Sequence, residues 1–171
     1  MIELELTYLA KYLPGDLIKY PFKEIIDIYL PVSFDHPKIR IRKNGDKYEI
    51  TKKEPIESNR SEMLEQTIKI TEAEFNELVN LPGKKVSKRR YLYDYKDHTA
   101  EIGIFGGDLN GLVLIDVEFK TVEEKASFKM PDFCLVEVTQ EKFTAGGMLC
   151  GKKYIDIEEE LMRFGYKRLS L

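Results

Sequence analysis

The sequence predicts a single α+β domain over residues 1–171, in which an antiparallel β-barrel or a strongly curled sheet is covered by a few helices. The first observation is that polar and apolar residues alternate in nine segments, as is typical of half-buried strands. The second is that only three segments have a helical pattern. The third is that 171 residues, 43% of them hydrophobic, suffice for one domain with a substantial core.

The predicted strands follow one another along the chain with short connections. Alternation places them at 2–9, 23–30, 38–43, 46–54, 61–70, 84–95, 99–105, 111–119 and 134–139. The sequence KNGDK (43–47) predicts a tight hairpin turn, and GGDLNG (106–111) predicts a longer turn. Short turns of this kind indicate that neighbouring strands pair antiparallel.

Three segments predict helices. TEAEFNELVN (71–80) begins with Thr71 and Glu74, which have the spacing of a capping box, and TVEEKASF (121–128) repeats that spacing. DIEEELMRFGY (156–166) predicts an amphipathic C-terminal helix. The residues predicted on its apolar side are Ile157, Leu161, Met162 and Phe164.

Composition excludes several classes of protein. The formal net charge is −3 and the pI is about 5.6, so the chain does not have the basic character of a nucleic-acid-binding protein. The N-terminal segment has neither a signal peptide nor a membrane span, which predicts a cytoplasmic protein whose Cys134 and Cys150 are reduced. We therefore expect no nucleic-acid or membrane partner, while a homodimer stays open.

The charged residues are sorted by sign from strand to strand, whereas an ordinary surface strand mixes signs. Because side chains alternate between the two faces of a strand, residues two positions apart point the same way. The acidic positions are Glu3, Glu5, Asp116, Glu118 and Glu137. The basic positions are Lys38, Arg40, Arg42, Lys88 and Arg90, with Lys52 and Lys53 on opposite faces of their strand.

Two interpretations of these faces stay open. If the faces point outward, their charges are simply solvated. If the sheet closes and they point inward, the lumen has a basic wall and an acidic wall. Such a lumen suits a polyanion that carries a divalent metal, because arginines bind phosphate oxygens and carboxylates bind Mg²⁺ or Mn²⁺. It must stay hydrated or hold its ligand, since unpaired buried charge is costly.

Five segments, in order, resemble the CYTH domain proteins, also called triphosphate tunnel metalloenzymes. They are IELELTYLAKYLP (2–14), IRIRKNGDKYEITKK (39–53), KKVSKRRYLY (84–93), AEIGIFGGDLNGLVLIDVEF (100–119) and PDFCLVEVTQEKF (131–143). That family includes inorganic triphosphatases, thiamine triphosphatases and class IV adenylyl cyclases. The resemblance covers nearly the whole chain and implies a closed eight-stranded antiparallel tunnel.

The resemblance also implies roles for the sorted charges. The triphosphate would be held by Arg40, Arg42, Lys52 or Lys53, Lys88 and Arg90. The metals, Mg²⁺ or Mn²⁺, would be held by Glu3, Glu5, Glu118 and Glu137, with Asp116 and one of Glu62 or Glu65 as additions.

The sequence departs from the family pattern at three places. Thr7 stands where the opening E-x-E-x-K motif has lysine, Gly103 stands where the pattern has aspartate, and FTAGGMLCG (143–151) replaces a tyrosine-asparagine pair. We expect the absence of a lysine at position 7 to lower the rate of hydrolysis more than the affinity for the triphosphate. Lys52 and Lys53 then become the candidates for orienting the attacking water.

The leading hypothesis is a metal-dependent hydrolase of short triphosphates, most of all inorganic tripolyphosphate, that acts slowly because of Thr7. One alternative is an adenylyl cyclase of the same fold, which needs a purine pocket that the sequence does not reveal. Another is a triphosphate- or polyphosphate-binding module without turnover. A general oligonucleotide-binding barrel is disfavoured because its acidic strands would repel phosphate in the absence of metal.

Overall fold

The computed structural model describes residues 2–57 and 59–171, and these residues form nine strands and several short helices. The strands are β1 (Ile2–Ala10), β2 (Phe22–Leu30), β3 (Ile39–Asn44), β4 (Lys47–Ile56), β5 (Asn59–Ile70), β6 (Lys84–Tyr95), β7 (His98–Phe105), β8 (Val113–Phe119) and β9 (Cys134–Glu137). The α-helices are α1 (Glu72–Leu78), α2 (Val122–Ser127), α3 (Gly146–Leu149) and α4 (Glu158–Arg163). Single 3₁₀ turns occur at Leu17–Lys19, Gly107–Leu109, Lys142–Thr144 and Tyr154–Ile157.

Strands β1 to β8 form a closed antiparallel barrel, as the resemblance implied. The sheet runs in the order β5-β4-β3-β2-β6-β7-β8-β1, and it closes because β1 also pairs with β5, where Glu3 lies opposite Met63. The ninth strand pairs with the far end of β1, on the same edge of β1 as β5, with Glu137 opposite Tyr8. Closure satisfies strand edges that would otherwise be exposed.

The predicted turns are present. The hairpin between β3 and β4 has a two-residue turn, and Gly45 occupies it with φ of +58°, a left-handed conformation that favours glycine. The GGDLNG segment contains the 3₁₀ turn Gly107–Leu109, so β8 begins at Val113, two residues later than predicted.

The capping box of α1 is confirmed. The Glu74 backbone N–H donates to Thr71 Oγ1 at 3.2 Å, and the Thr71 backbone N–H donates to the Glu74 carboxylate at 2.7 Å. The helix places Phe75 against Ile28 and Ile41 on the outer face of β2 and β3. Apolar residues of these strands therefore lie outside the barrel and are covered by a helix.

The predicted C-terminal helix is shorter than its pattern. Ile157 lies in a 3₁₀ turn and α4 begins at Glu158, so the apolar residues do not share one continuous α-helical face. Ile157 and Leu161 are buried, but Met162 is 69% exposed, and its prediction on the apolar side is wrong.

The C-terminal segment packs against the end of the barrel where β7 meets β8. Leu149, Ile157 and Leu161 form one cluster there with residues of these strands. The buried Tyr166 hydroxyl donates to Gly111 O at 2.8 Å and accepts from the Val113 backbone N–H at 2.8 Å. This packing brings the start of α3 to the lumen. Within the described ranges, no helix combines the length and apolar character needed to cross a membrane.

Candidate active site in the barrel lumen

The barrel encloses a cavity of about 490 Å³ that is lined by charged side chains of both signs. Alternate residues of each strand point into it, so the inward interpretation of the sorted faces is the one that the structure adopts. The predicted site residues that line it are Glu3, Glu5, Arg40, Arg42, Lys53, Lys88, Arg90, Asp116 and Glu118.

Three carboxylates form a cluster on the acidic wall. Glu3, Glu5 and Glu118 each have an oxygen within 4.8 Å of the others, and Glu5 lies opposite Glu118 across the β1–β8 pair. Burial raises the pKa of Glu5 to about 8 and the pKa of Glu118 to about 7, and neighbouring carboxylates add to both shifts. Ionising these neighbouring carboxylates costs free energy, and a bound divalent cation would offset that cost. Mg²⁺ and Mn²⁺ are cations that prefer such oxygen ligands.

Lys53 supplies the positive charge nearest to this cluster. Its Nζ lies 2.5 Å from Glu3 Oε2 and 3.6 Å from Glu5 Oε1. Burial opposes the charged ammonium, but the carboxylates of Glu5 and Glu3 outweigh it and raise the pKa of Lys53. Lys53 is therefore a charged ammonium that offsets part of the negative charge of Glu3 and Glu5.

The basic wall contains an acidic residue that sequence reasoning missed. Asp27 on β2 faces Arg42 on β3, and its two oxygens accept hydrogen bonds from Arg42 Nε at 2.6 Å and Nη2 at 2.7 Å. Burial alone would raise the pKa of Asp27, but the charge and hydrogen bonds of Arg42 lower it below its ordinary value. Arg40 Nε lies 4.0 Å from the same carboxylate.

Arg40 and Arg90 retain donors for a ligand. Among the described residues, the buried Nε atom of each has no hydrogen-bond partner. Arg90 is held by Glu101, whose carboxylate lies 2.5 Å from Arg90 Nη1. Buried donors without partners are costly, so an anion oxygen in the lumen would satisfy them.

A chain of contacts crosses from β1 to β6 at two of the three departures from the family pattern, Thr7 and Gly103. The Thr7 hydroxyl donates to Asp116 Oδ1 at 2.9 Å, and the other oxygen of Asp116 lies 3.9 Å from Lys88 Nζ. A Cβ atom at Gly103 would lie 3.1 Å from Lys88 Cδ and 3.4 Å from its Nζ. The missing side chain at position 103 thus leaves the space that the lysine occupies. Burial, together with Arg90, lowers the pKa of Lys88 to about 8.

Two predicted site residues are not brought to the lumen, and both predictions are corrected. Lys52 points outward, because successive residues of a strand face opposite sides, and its half-exposed side chain lies 3.4 Å from Glu54. Glu137 is exposed on β9, where it lies opposite Tyr8 on the outer face of β1. Of the two additional acids, Glu65 lines the lumen, whereas Glu62 lies 3.5 Å from Lys125 of α2.

Further lumen residues escaped the sequence analysis. They are Asp27, Tyr29, His36, Glu49, Arg60 and Glu101. For Asp27 and Tyr29 the signal was present, since they are two positions apart on a predicted strand. Recognising them required the pairing register, in which Asp27 lies opposite Arg42 and Tyr29 opposite Arg40.

The closed barrel and its lumen of mixed charge define the chain as a β-tunnel protein. No protein-family model matches it. It is 31% identical over 145 residues to an inorganic triphosphatase of Nitrosomonas europaea, a match that covers 83% of this chain and 92% of the relative. It is 30% identical over 148 residues to an inorganic triphosphatase of Acetivibrio thermocellus, which covers 85% of this chain and 92% of the relative.

A solved structure agrees with these relatives. The crystal structure of an inorganic triphosphatase superposes with a TM-score of 0.64 at 25% identity, covering 88% of this chain and 95% of that one. The chain belongs to the family of these inorganic triphosphatases.

Proposed function

We propose that the protein is a metal-dependent triphosphatase of the CYTH type, a triphosphate tunnel metalloenzyme, with inorganic tripolyphosphate as its main substrate. The observation that carries the proposal is the lumen itself, in which a carboxylate cluster and arginines with unpartnered donors line one cavity. Two relatives named inorganic triphosphatase, which this chain matches over most of their length, support the same substrate class.

The residues divide into two roles. Arg40, Arg90 and Lys88 would hold phosphate oxygens, and Arg42 would contribute the part of its guanidinium that Asp27 leaves free. Glu3, Glu5 and Glu118 would hold Mg²⁺ or Mn²⁺, and Asp116 lines the same cavity, close enough for its charge to act on Glu5. The bound metal would polarise phosphate oxygens and offset their negative charge.

Hydrolysis would proceed by in-line attack of water on a terminal phosphoryl group. Arginines fixed in the lumen stabilise charge on the equatorial oxygens, and they need no reorganisation because their positions are already set by ion pairs. Of the two lysines considered for orienting the water, only Lys53 lies in the lumen, against Glu3 and Glu5. We therefore assign that role to Lys53.

A second candidate is a triphosphate-binding module without turnover. The observation that favours it is Thr7, whose hydroxyl is already committed to Asp116 and brings no positive charge into the lumen. An adenylyl cyclase of the same fold is a third candidate that no specific contact favours. The cytoplasmic location, the homodimer and the slow rate stay predictions from the sequence.

The test is phosphate release from tripolyphosphate, ATP and thiamine triphosphate, each with Mg²⁺, with Mn²⁺ and with a chelator. We expect release from tripolyphosphate that requires metal and stops in chelator. Tight binding without release would favour the binding module, and cyclic AMP formed from ATP would favour the cyclase.

A further inference from the structure

Positive charges gather at one mouth of the lumen, where the 31–38 loop, the start of β5 and the segment after β9 meet. His36 and Arg60 line the same cavity as Arg40. Burial lowers the pKa of His36, and the positive charges of Arg60, Lys142 and Lys38 lower it further. Four cationic or ionisable basic groups are thus close enough to act on one another.

The charges at this mouth lack the counter-charges found deeper in the lumen. Arg42, Lys53, Lys88 and Arg90 each face a carboxylate within 4.0 Å. Burial alone lowers the pKa of Arg60, with no offset from an acid. Among the ion pairs of the described residues, none involves Arg60, His36 or Lys142, whereas Lys38 pairs with Glu54 at 2.7 Å. Like charges held together without an acid are costly unless an anion joins them.

Contacts between the three segments hold this arrangement in place. The Arg60 backbone N–H donates to Gln140 Oε1 at 3.2 Å, and Gln140 Nε2 donates to Asn59 Oδ1 at 3.2 Å. Gly147 of α3 packs directly on the 31–38 loop, since a Cβ atom there would lie 2.5 Å from Pro37 O and 2.6 Å from His36 Cδ2. These contacts fix the backbone positions of His36 and Arg60 relative to each other.

We infer that Arg60 and His36 form an anion subsite at this mouth, contiguous with the triphosphate site, which binds a further phosphate of a linear polyphosphate longer than tripolyphosphate. The inference rests on the proposed function and extends it to chain length. Pro37 and Lys38 line the cavity between the subsite and Arg40, so one extended polyanion can reach both.

The experiment compares the affinities of tripolyphosphate and linear tetrapolyphosphate by calorimetry in chelator, where no turnover occurs. We expect the wild-type protein to bind tetrapolyphosphate about tenfold more tightly, the effect of roughly one charge-assisted hydrogen bond. Arg60→Gln should abolish this preference and leave tripolyphosphate affinity within about twofold. Arg60→Gln keeps the backbone bond to Gln140. Lys142→Gln removes an exposed positive charge outside the cavity lining, so it should reduce the preference less than Arg60→Gln does.

Arg89→Gln is the matched control, because Arg89 lies on the outer face, 3.0 Å from Glu24 and half-exposed. It should change neither affinity. The inference is overturned if wild type shows no preference for tetrapolyphosphate, or if Arg60→Gln weakens both ligands equally. Failure of the proposed function looks different, since wild type would then release no phosphate from tripolyphosphate with metal, whatever the affinity ratio.

Discussion

Both carboxylate oxygens of Asp27 accept hydrogen bonds from the guanidinium of Arg42, and the two residues are only 4% and 8% exposed. The guanidinium is thereby oriented before any ligand arrives, but two of its donors are already used. A phosphate that approaches Arg42 must share it with Asp27, whose negative charge repels the incoming anion.

The first prediction concerns this pair. Asp27→Asn removes the repelling charge and leaves Arg42 with a weaker partner, so tripolyphosphate affinity in chelator should rise several-fold. The free energy of unfolding should fall by about 3 kcal/mol, because a buried cation loses its counter-charge. Calorimetry and chemical denaturation measure the two effects. Asp94→Asn, at an exposed position of β6, should change neither. A variant with weaker affinity would show that Asp27 acts mainly by positioning Arg42.

The second prediction separates two adjacent lysines. Lys53→Met should lower kcat with tripolyphosphate about a hundredfold, the typical loss of one preorganised charge at a reacting centre. Lys52→Met is the matched control, since Lys52 faces solvent beside Glu54, and it should stay within about twofold of wild type. Steady-state phosphate release at saturating metal measures both. Equal losses in the two variants would contradict the assignment of Lys53.

The third prediction concerns the carboxylate cluster. Glu5→Gln keeps the shape of the side chain but removes one ligand charge, so the Mg²⁺ or Mn²⁺ concentration for half-maximal activity should rise about tenfold or more. Glu137→Gln is the control, because Glu137 is exposed on the outer face of β9, and its metal titration should match wild type. Superimposable titrations of wild type and Glu5→Gln would mean that Glu5 does not hold the metal.

The fourth prediction follows from the space at position 103. Gly103→Ala places a methyl group 3.1 Å from Lys88 Cδ and forces the lysine to move, so KM for tripolyphosphate should rise several-fold. Gly15→Ala is the control, because its Cβ atom would meet nothing within 4 Å. An unchanged KM in Gly103→Ala would show that the position of Lys88 is not critical for substrate binding.

The fifth prediction is a pH dependence of stability without metal. The pKa values of Glu5 and Glu118 are raised to about 8 and about 7 from an ordinary value of 4.5. Between pH 4.5 and about pH 8 the folded protein therefore binds more protons at these two carboxylates than the unfolded chain does. Its free energy of unfolding should fall as the pH rises through this range. Two groups act in the opposite direction: Lys88, whose pKa is lowered to about 8, does so only above that pH, and His36, whose pKa is lowered from 6.5, offsets part of the fall below pH 6.5.

Thermal denaturation across this pH range tests the effect. Mg²⁺ should raise Tm more at pH 8 than at pH 5, because it binds the ionised carboxylates. Glu5→Gln should flatten the fall in Tm, and Glu137→Gln should leave it unchanged. A metal-free Tm that rises steadily from pH 5 to 8 would contradict the raised pKa values.

The sequence carried enough information to predict the strands, because alternation and turn chemistry are local. The hairpin around Gly45 and the capping box of Thr71 and Glu74 formed as predicted. Ring closure through β1 and β5 rests on pairing between distant segments, which no local pattern encodes. The pattern left a barrel and a curled sheet as alternatives, and closure was implied by the resemblance to the tunnel family.

Positions in the lumen could be predicted where one strand carried charges of one sign, as for Arg40 with Arg42 and for Glu3 with Glu5. The pattern could not choose between Lys52 and Lys53, because that choice depends on which face becomes the lumen. Asp27 was missed for a related reason. Asp27 is a single acid between two isoleucines, and its role as the partner of Arg42 follows only from the strand register that places the two residues opposite each other.

The pairing of β1 has a consequence for the order of folding. Hairpins such as β3–β4 and β6–β7 join adjacent segments, but β1 pairs with β5, β8 and β9, which follow much later in the chain. Contacts of such long sequence separation form slowly, because the intervening chain loses its entropy first. The strand that carries Glu3 and Glu5 gains each of its neighbours only after β5, β8 and β9, which follow it in the chain, have been synthesised. The carboxylate cluster is therefore complete only when β8 brings Glu118 opposite Glu5, across more than half of the chain's length.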